Sequence, residues 1–80
     1  MDYRPKGVCS QNIHIDMDGE TIKHVEFLGG CSGNTQGVAR LVEGMKATDA
    51  IAKLEGIRCG FKPTSCPDQL AQALKLALQQ

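Results

Sequence analysis

The stretch V-C-S-Q-N-I-H-I-D-M-D-G-E-T-I-K-H-V-E-F-L, residues 8–28, decides the fold. Apolar and polar side chains alternate in it on either side of Met17, Asp18 and Gly19, and the second half is rich in β-branched and aromatic residues. That period-two pattern around a glycine turn reads as an antiparallel hairpin. The first strand runs over residues 7–16 and the second over residues 21–28, with Gly19 free to take positive φ. A three-residue loop ending at Gly19 pairs Asp16 with Glu20 and Cys9 with Phe27. Cys9, Ile13, Ile15, Val25 and Phe27 then share one face, and the same period carried past Gly29 brings Cys31 to that side. A two-residue turn at Asp18 and Gly19 shifts the pairing by one and sends Val25 and Phe27 to the other face. The first register is expected, because it gives one coherent apolar face.

Upstream, residues 1–6 read as a short arm. Downstream, Gly29-Gly30-Cys31-Ser32-Gly33-Asn34 is a glycine-rich break before a helix. Val38, Leu41, Val42 and Met45 fall at i, i+3, i+4 and i+7 and give that helix an amphipathic stripe, with Asn34 as its cap. Thr48 is placed to cap a second, short helix that carries Ile51 and Leu54 and stops at Gly56. Residues 57–62 form an extended or irregular link. Ser65 and Asp68 then stand in capping-box spacing, Pro67 fits a first turn, and Leu70, Ala73, Leu74, Ala77 and Leu78 make a buried stripe with Lys75 outside it. The expected architecture is a single α+β domain over residues 1–80: an antiparallel β-hairpin or small sheet packed on one face by about three helices.

An 80-residue chain with two Phe, one Tyr and no Trp cannot enclose a large core. Such cores rarely supply more than about 3–5 kcal/mol, so a metal, a disulfide set or a partner subunit, including a second copy, is expected as a staple. Formal net charge is zero and both signs are interspersed, which argues against a nucleic-acid partner. No apolar run approaches the ~18 residues of a membrane span, and the first ten residues carry no hydrophobic signal segment. A cytoplasmic location is therefore expected, where thiols stay reduced and cysteines serve as metal ligands or reactive thiols rather than as disulfides.

The four cysteines are Cys9, Cys31, Cys59 and Cys66. None forms a C-x-x-C pair, so the zinc-ribbon signature is missing. Their placement carries the signal. The last three sit in Gly-Gly-Cys-Ser-Gly, Arg-Cys-Gly and Ser-Cys-Pro-Asp, beside glycines or helix starts. Helix-start N–H groups favour thiolate, the metal-binding form, and small neighbours let backbone N–H groups reach sulfur. Four thiolates close a tetrahedral zinc site, and the same ligands suit an iron–sulfur cluster. The bland reading, small buried hydrophobes, fits strand residue Cys9 best. His14 and His24 lie mid-strand, where a packed or surface histidine is the commoner case, although either could complete a site. The carboxylates Asp16, Asp18, Glu20 and Glu26 are scattered, and the serines occur only at turns and caps. Residues 29–34 lack the Lys-Ser/Thr ending of a phosphate loop, leaving only the general capacity of a helix start to hold an anion.

Thr64-Ser65-Cys66-Pro67-Asp68 spells the signature of the TSCPD domain family. The resemblance extends through VEFLGGCSGNTQGVARLVEGM (residues 25–45) and LEGIRCGFKPTSCPDQLAQAL (residues 54–74), close to the whole chain. The chain resembles the short, stand-alone members of that family. Similar domains end adenosylcobalamin-dependent ribonucleotide reductases, so the resemblance implies a link to ribonucleotide reduction. It implies Cys31, Cys59 and Cys66 as motif cysteines, with Cys9 as the fourth. It does not imply catalysis, because the radical barrel and cobalamin site of the large enzyme have no counterpart in a chain this short. A second likeness, to U-type iron–sulfur scaffold proteins, rests on a hairpin leading into a glycine–cysteine turn and a helix. Three functions follow as expectations. They are a zinc-binding module acting through a protein partner such as a ribonucleotide reductase large subunit, an iron–sulfur scaffold or carrier, and a thiol redox protein using Cys59 and Cys66.

Overall fold

The computed structural model describes every residue except Cys9, Gly30, Cys31, Cys59, Lys62 and Gln80, and describes Ser10, Ser32 and Gly33 by backbone alone. Three strands and three helices follow in order: β1 (Asp2–Tyr3), β2 (Ser10–Asp18), β3 (Thr21–Gly29), α1 (Ser32–Val42), α2 (Ala47–Leu54) and α3 (Cys66–Leu78). The sheet is antiparallel in the order β1-β2-β3, so the α+β expectation holds. Within the short N-terminal arm, Asp2 and Tyr3 form a strand. Asp2 pairs with His14 and Tyr3 with Ile13, and Met1 and Ile15 exchange two backbone bonds of 2.8 and 2.9 Å. Two residues carry no readable period, which is why the sequence did not disclose this strand.

The hairpin register differs from the expected one and yet builds the expected face. Asp18 pairs with Thr21 around a two-residue turn, Gly19-Glu20, with Gly19 at φ 63° as such a turn requires. That turn alone would put Val25 and Phe27 on the wrong side. An extra residue, Lys23, sits in β3 between the Met17–Ile22 and Asp16–His24 pairs. The bulge shifts the register by one more, so Ile15 meets Val25 and Ile13 meets Phe27. A second extra residue, Gln11, lies in β2 near its start.

Ile13, Ile15, Ile22 and Val25 are buried on the inner face beneath Ala39 and Val42 of α1, Ala47 and Ala50 of α2, and Leu70, Ala73 and Leu74 of α3. The outer face carries His14, Asp16, His24 and Glu26. Gly44, Met45 and Ala47 hydrogen-bond Ile22 and Glu20 at 2.8 Å each and so prolong the sheet beside the start of β3.

Two caps are corrected. α1 begins at Ser32, so Asn34 lies inside its first turn, Leu41 faces water at 78% exposure, and Met45 lies beyond the helix end. Val42 is buried and Val38 packs against the core as expected, with Thr35 and Ala39 completing the buried face in place of Leu41. α2 starts at Ala47 after Lys46, which makes no side-chain cap bond, and Thr48 falls within the helix. Ala47 and Ala50 are its buried residues; small side chains let α2 lie close on α3. The α3 reading holds at its start and through Leu74, but Leu78, at the last turn, is 36% exposed. Lys75 is outside, ion-paired with Glu55.

Candidate functional site

The signature residues 64–68 build the start of α3 from side-chain hydrogen bonds. Ser65 is extended at φ −151°, accepts the Asp68 N–H at 3.2 Å and donates its hydroxyl to the Ile57 carbonyl at 2.6 Å. Pro67 stands in the first turn, where a helix has no intrahelical partner for the missing N–H. The Asp68 carboxylate does not reach back to Ser65, as a capping box would have it. It accepts the Thr64 hydroxyl at 2.5 Å, the Gly56 N–H at 2.8 Å and the Gln72 amide at 3.4 Å. These bonds, Thr64 first and Gly56 next, hold its pKa below the ordinary 3.8, so the buried group stays ionised.

Gln69, unremarked in the sequence reading, is the second hub. Its amide donates to the Thr64 hydroxyl at 2.9 Å, and its carbonyl oxygen accepts the Tyr3 hydroxyl and the Lys6 N–H, each at 3.1 Å. Gly7, at φ 74°, passes so near Thr64 that an added Cβ would stand 3.2 Å from its methyl group. The chain from β1 is thereby fastened onto the signature. A Tyr and a Gln at a separation of 66 residues give no local sequence signal.

Cys66 is the sulfur-bearing letter of the signature. It is half-buried at the first position of α3 and lines a cavity of about 390 Å³. Phe27, Val38, Ile57 and Pro67 supply the apolar wall; Asn34, Thr35, Arg58 and Ser65 supply the polar one. The cavity thus lies between β3, the first turns of α1 and α3, and the α2–α3 connection.

Among the described residues, no three or more His, Cys, Asp or Glu side chains are grouped so as to hold a metal ion. The expected ligands Cys9, Cys31 and Cys59 lie outside the described residues, so of the four only Cys66 is placed. Neither histidine lines the Cys66 cavity. His14 bridges Asp2 at 2.9 Å and Asp16 at 3.2 Å on the outer face, and His24 bonds Glu43 at 2.8 Å. No described carboxylate or imidazole lines the cavity either; among the described residues Cys66 brings the soft donor, beside the oxygens of Asn34, Thr35 and Ser65, and thiolate ligands suit zinc or an iron–sulfur centre. Arg58 on the wall would offset the net negative charge of a four-thiolate centre. Cys66 and Arg58 are compatible with a thiolate-bound metal, whose other ligands would have to come from cysteines outside the described residues.

A three-stranded sheet with helices on one face and a hydrogen-bonded signature at the start of the last helix defines a small α+β domain with a cysteine-bearing cavity. The TSCPD domain family model matches residues 1–78, and the chain belongs to that family. No curated protein and no solved structure matches the chain. Among the described residues no helix is long and apolar enough to cross a membrane.

Proposed function

We propose that the chain is a small metal-binding module in which Cys66, with Cys9, Cys31 and Cys59, holds one zinc ion, and that it acts by contacting a protein partner. The carrying observation is the position of Cys66 at the first residue of α3, on a carboxylate-free cavity whose wall also includes Arg58, next in sequence to Cys59, and Asn34, three residues after Cys31. When bound, zinc supplies a structural cross-link with no open coordination position. The chain's own residues present sulfur, exclude carboxylates and set a cation on the cavity wall. The partner part of the reading rests on the resemblance to domains that end ribonucleotide reductases and on Phe61, fully exposed in the α2–α3 connection that also supplies Ile57 and Arg58. A ribonucleotide reductase large subunit is the partner class proposed, and the isolated chain is proposed to have no turnover.

The test is metal analysis of protein purified without oxygen, combined with X-ray absorption at the metal edge. One zinc per chain with four sulfur neighbours near 2.3 Å supports the reading. A brown protein with iron and inorganic sulfide replaces it with the scaffold reading. A metal-free protein with a reversible Cys59–Cys66 disulfide replaces it with the thiol redox reading.

A further inference from the structure

We propose that β3 is a self-pairing edge: two copies of this chain join antiparallel through residues 25–29, with Phe27 at the twofold axis, into one six-stranded sheet. Strand order leaves β3 at the edge of the sheet. Its first residues are already hydrogen-bonded on the outer side by residues 44–47. The Val25 N–H points the same way, since it meets the Glu43 carboxylate at 3.4 Å rather than β2. Outward and inward groups alternate along an antiparallel strand, and β3 is regular from His24 to Leu28. The N–H and C=O of Phe27 therefore also point outward, and among the described residues no hydrogen-bond partner for them is found.

A groove of about 330 Å³ runs along this edge, between residues 24–27 and the α1 side chains Gln36, Ala39, Arg40 and Glu43. It has the form taken by a strand added to a sheet edge beside a helix. The strand that fits is β3 itself. A twofold axis at Phe27 lets the two Phe27 residues exchange both backbone bonds, and lets each Gly29 N–H reach the Val25 carbonyl of the second copy. Pairing here requires the Glu43 carboxylate to swing off the Val25 N–H, and glycine opposite Val25 brings no side chain to block that movement. On the outer face each exposed Glu26 faces the Leu28 of the second copy, covering a leucine that is 51% exposed in one chain. Arg40 stands in the groove beside Glu26 and Glu43, and the chain as a whole has zero net charge, so no large single-sign field keeps two copies apart. A twofold contact also closes on itself, which an edge pairing with β1 of another copy would not.

The proposed pairing uses no cysteine, but the Phe27 side chain also walls the Cys66 cavity, so metal content is read beside the oligomeric state. Sedimentation equilibrium of the full chain in reductant, with metal content measured on the same samples, tests it. The expected result is a dimer. Leu28→Glu sets like charges opposite each other twice and should weaken it about tenfold, and Glu26→Lys combined with Leu28→Glu should restore it. Both positions are exposed, so the fold survives the changes. A monomer up to ~1 mM overturns the proposal, as does a dimer indifferent to Leu28→Glu or one that the double variant does not restore.

Discussion

The backbone N–H of Gly56 donates to the Asp68 carboxylate at 2.8 Å, so the turn that ends α2 is fastened to the first turn of α3. Asp68 at the same time receives the Thr64 hydroxyl, and its own N–H is capped by Ser65. Removing the carboxylate by Asp68→Ala strands the Gly56 N–H and the Thr64 hydroxyl. It should lower unfolding free energy by about 2–3 kcal/mol, read from urea denaturation at neutral pH. The pKa of Asp68 is depressed in the fold, so its contribution is present above the ordinary carboxylate value and is lost as pH falls through and below 3.8. Asp68→Asn should therefore flatten the acid limb of stability below the ordinary carboxylate value of 3.8. An unchanged acid limb would show that the carboxylate is not held as described.

His14 should make the attachment of β1 depend on pH. Its two ring nitrogens face Asp2 and Asp16, and only the doubly protonated ring donates to both. The hydrogen bond to Asp2 raises the His14 pKa above 6.5, while His14 first and Asn12 next lower that of Asp2 below 3.8. The signs give a window. The His14 contribution is complete below 6.5 and fades as pH rises through its raised value; the Asp2 contribution is complete above 3.8 and fades as pH falls below it. Amide exchange at Tyr3, corrected for its intrinsic pH dependence, should be slowest between those limits. In His14→Gln the alkaline loss of protection should vanish, and its persistence would exclude the clasp.

Leu74 and Leu41 look alike in sequence, each on the apolar stripe of a helix, and differ in place. Leu74 is fully buried, whereas Leu41 is 78% exposed. Leu74→Ala should cost about 2–5 kcal/mol and Leu41→Ala less than about 0.5 kcal/mol. Equal losses in paired denaturation curves would mean that α1 docks through another face.

What the sequence disclosed, and what it hid, divides by the range of the interaction. The Ser65 cap and the Leu70–Leu74 stripe depend on neighbours a few residues apart, and they are where local spacing put them. The hairpin face was legible because it had to be apolar, yet its register was not, since the Lys23 bulge offsets the short turn without altering the pattern of residue types. Asn34 and Thr48 are good capping residues in sequence but lie inside helices that begin two and one residues earlier, at Ser32 and Ala47. The Tyr3–Gln69 contact and the β1–β2 pairing join segments with no local pattern at all. Of the four cysteines, the helix-start placement of Cys66 was readable from Ser65, Pro67 and Asp68 around it, while the ligand set as a whole is a statement about long-range convergence.

The final prediction couples metal to folding. The described core rests on five large, fully buried side chains, Ile13, Ile15, Ile22, Leu70 and Leu74, with alanines filling most of the rest. Cores of this size supply about 3–5 kcal/mol, whereas structural zinc contributes apparent binding free energies of about 10–16 kcal/mol in small domains. If Cys66 is a ligand, a strong chelator should lower the melting temperature of the reduced chain by tens of degrees, and added zinc should restore it. Cys66→Ser should reproduce much of that loss and blunt the response to chelator, although Ser65, Pro67 and Asp68 still build the helix start. The comparison with Asp68→Ala separates the two roles of the signature. That variant should be less stable yet still respond to chelator, because it breaks the scaffold and leaves the sulfur in place. If the parent chain melts at the same temperature with and without chelator, the hydrogen-bonded frame alone holds this domain and the cysteines have another use.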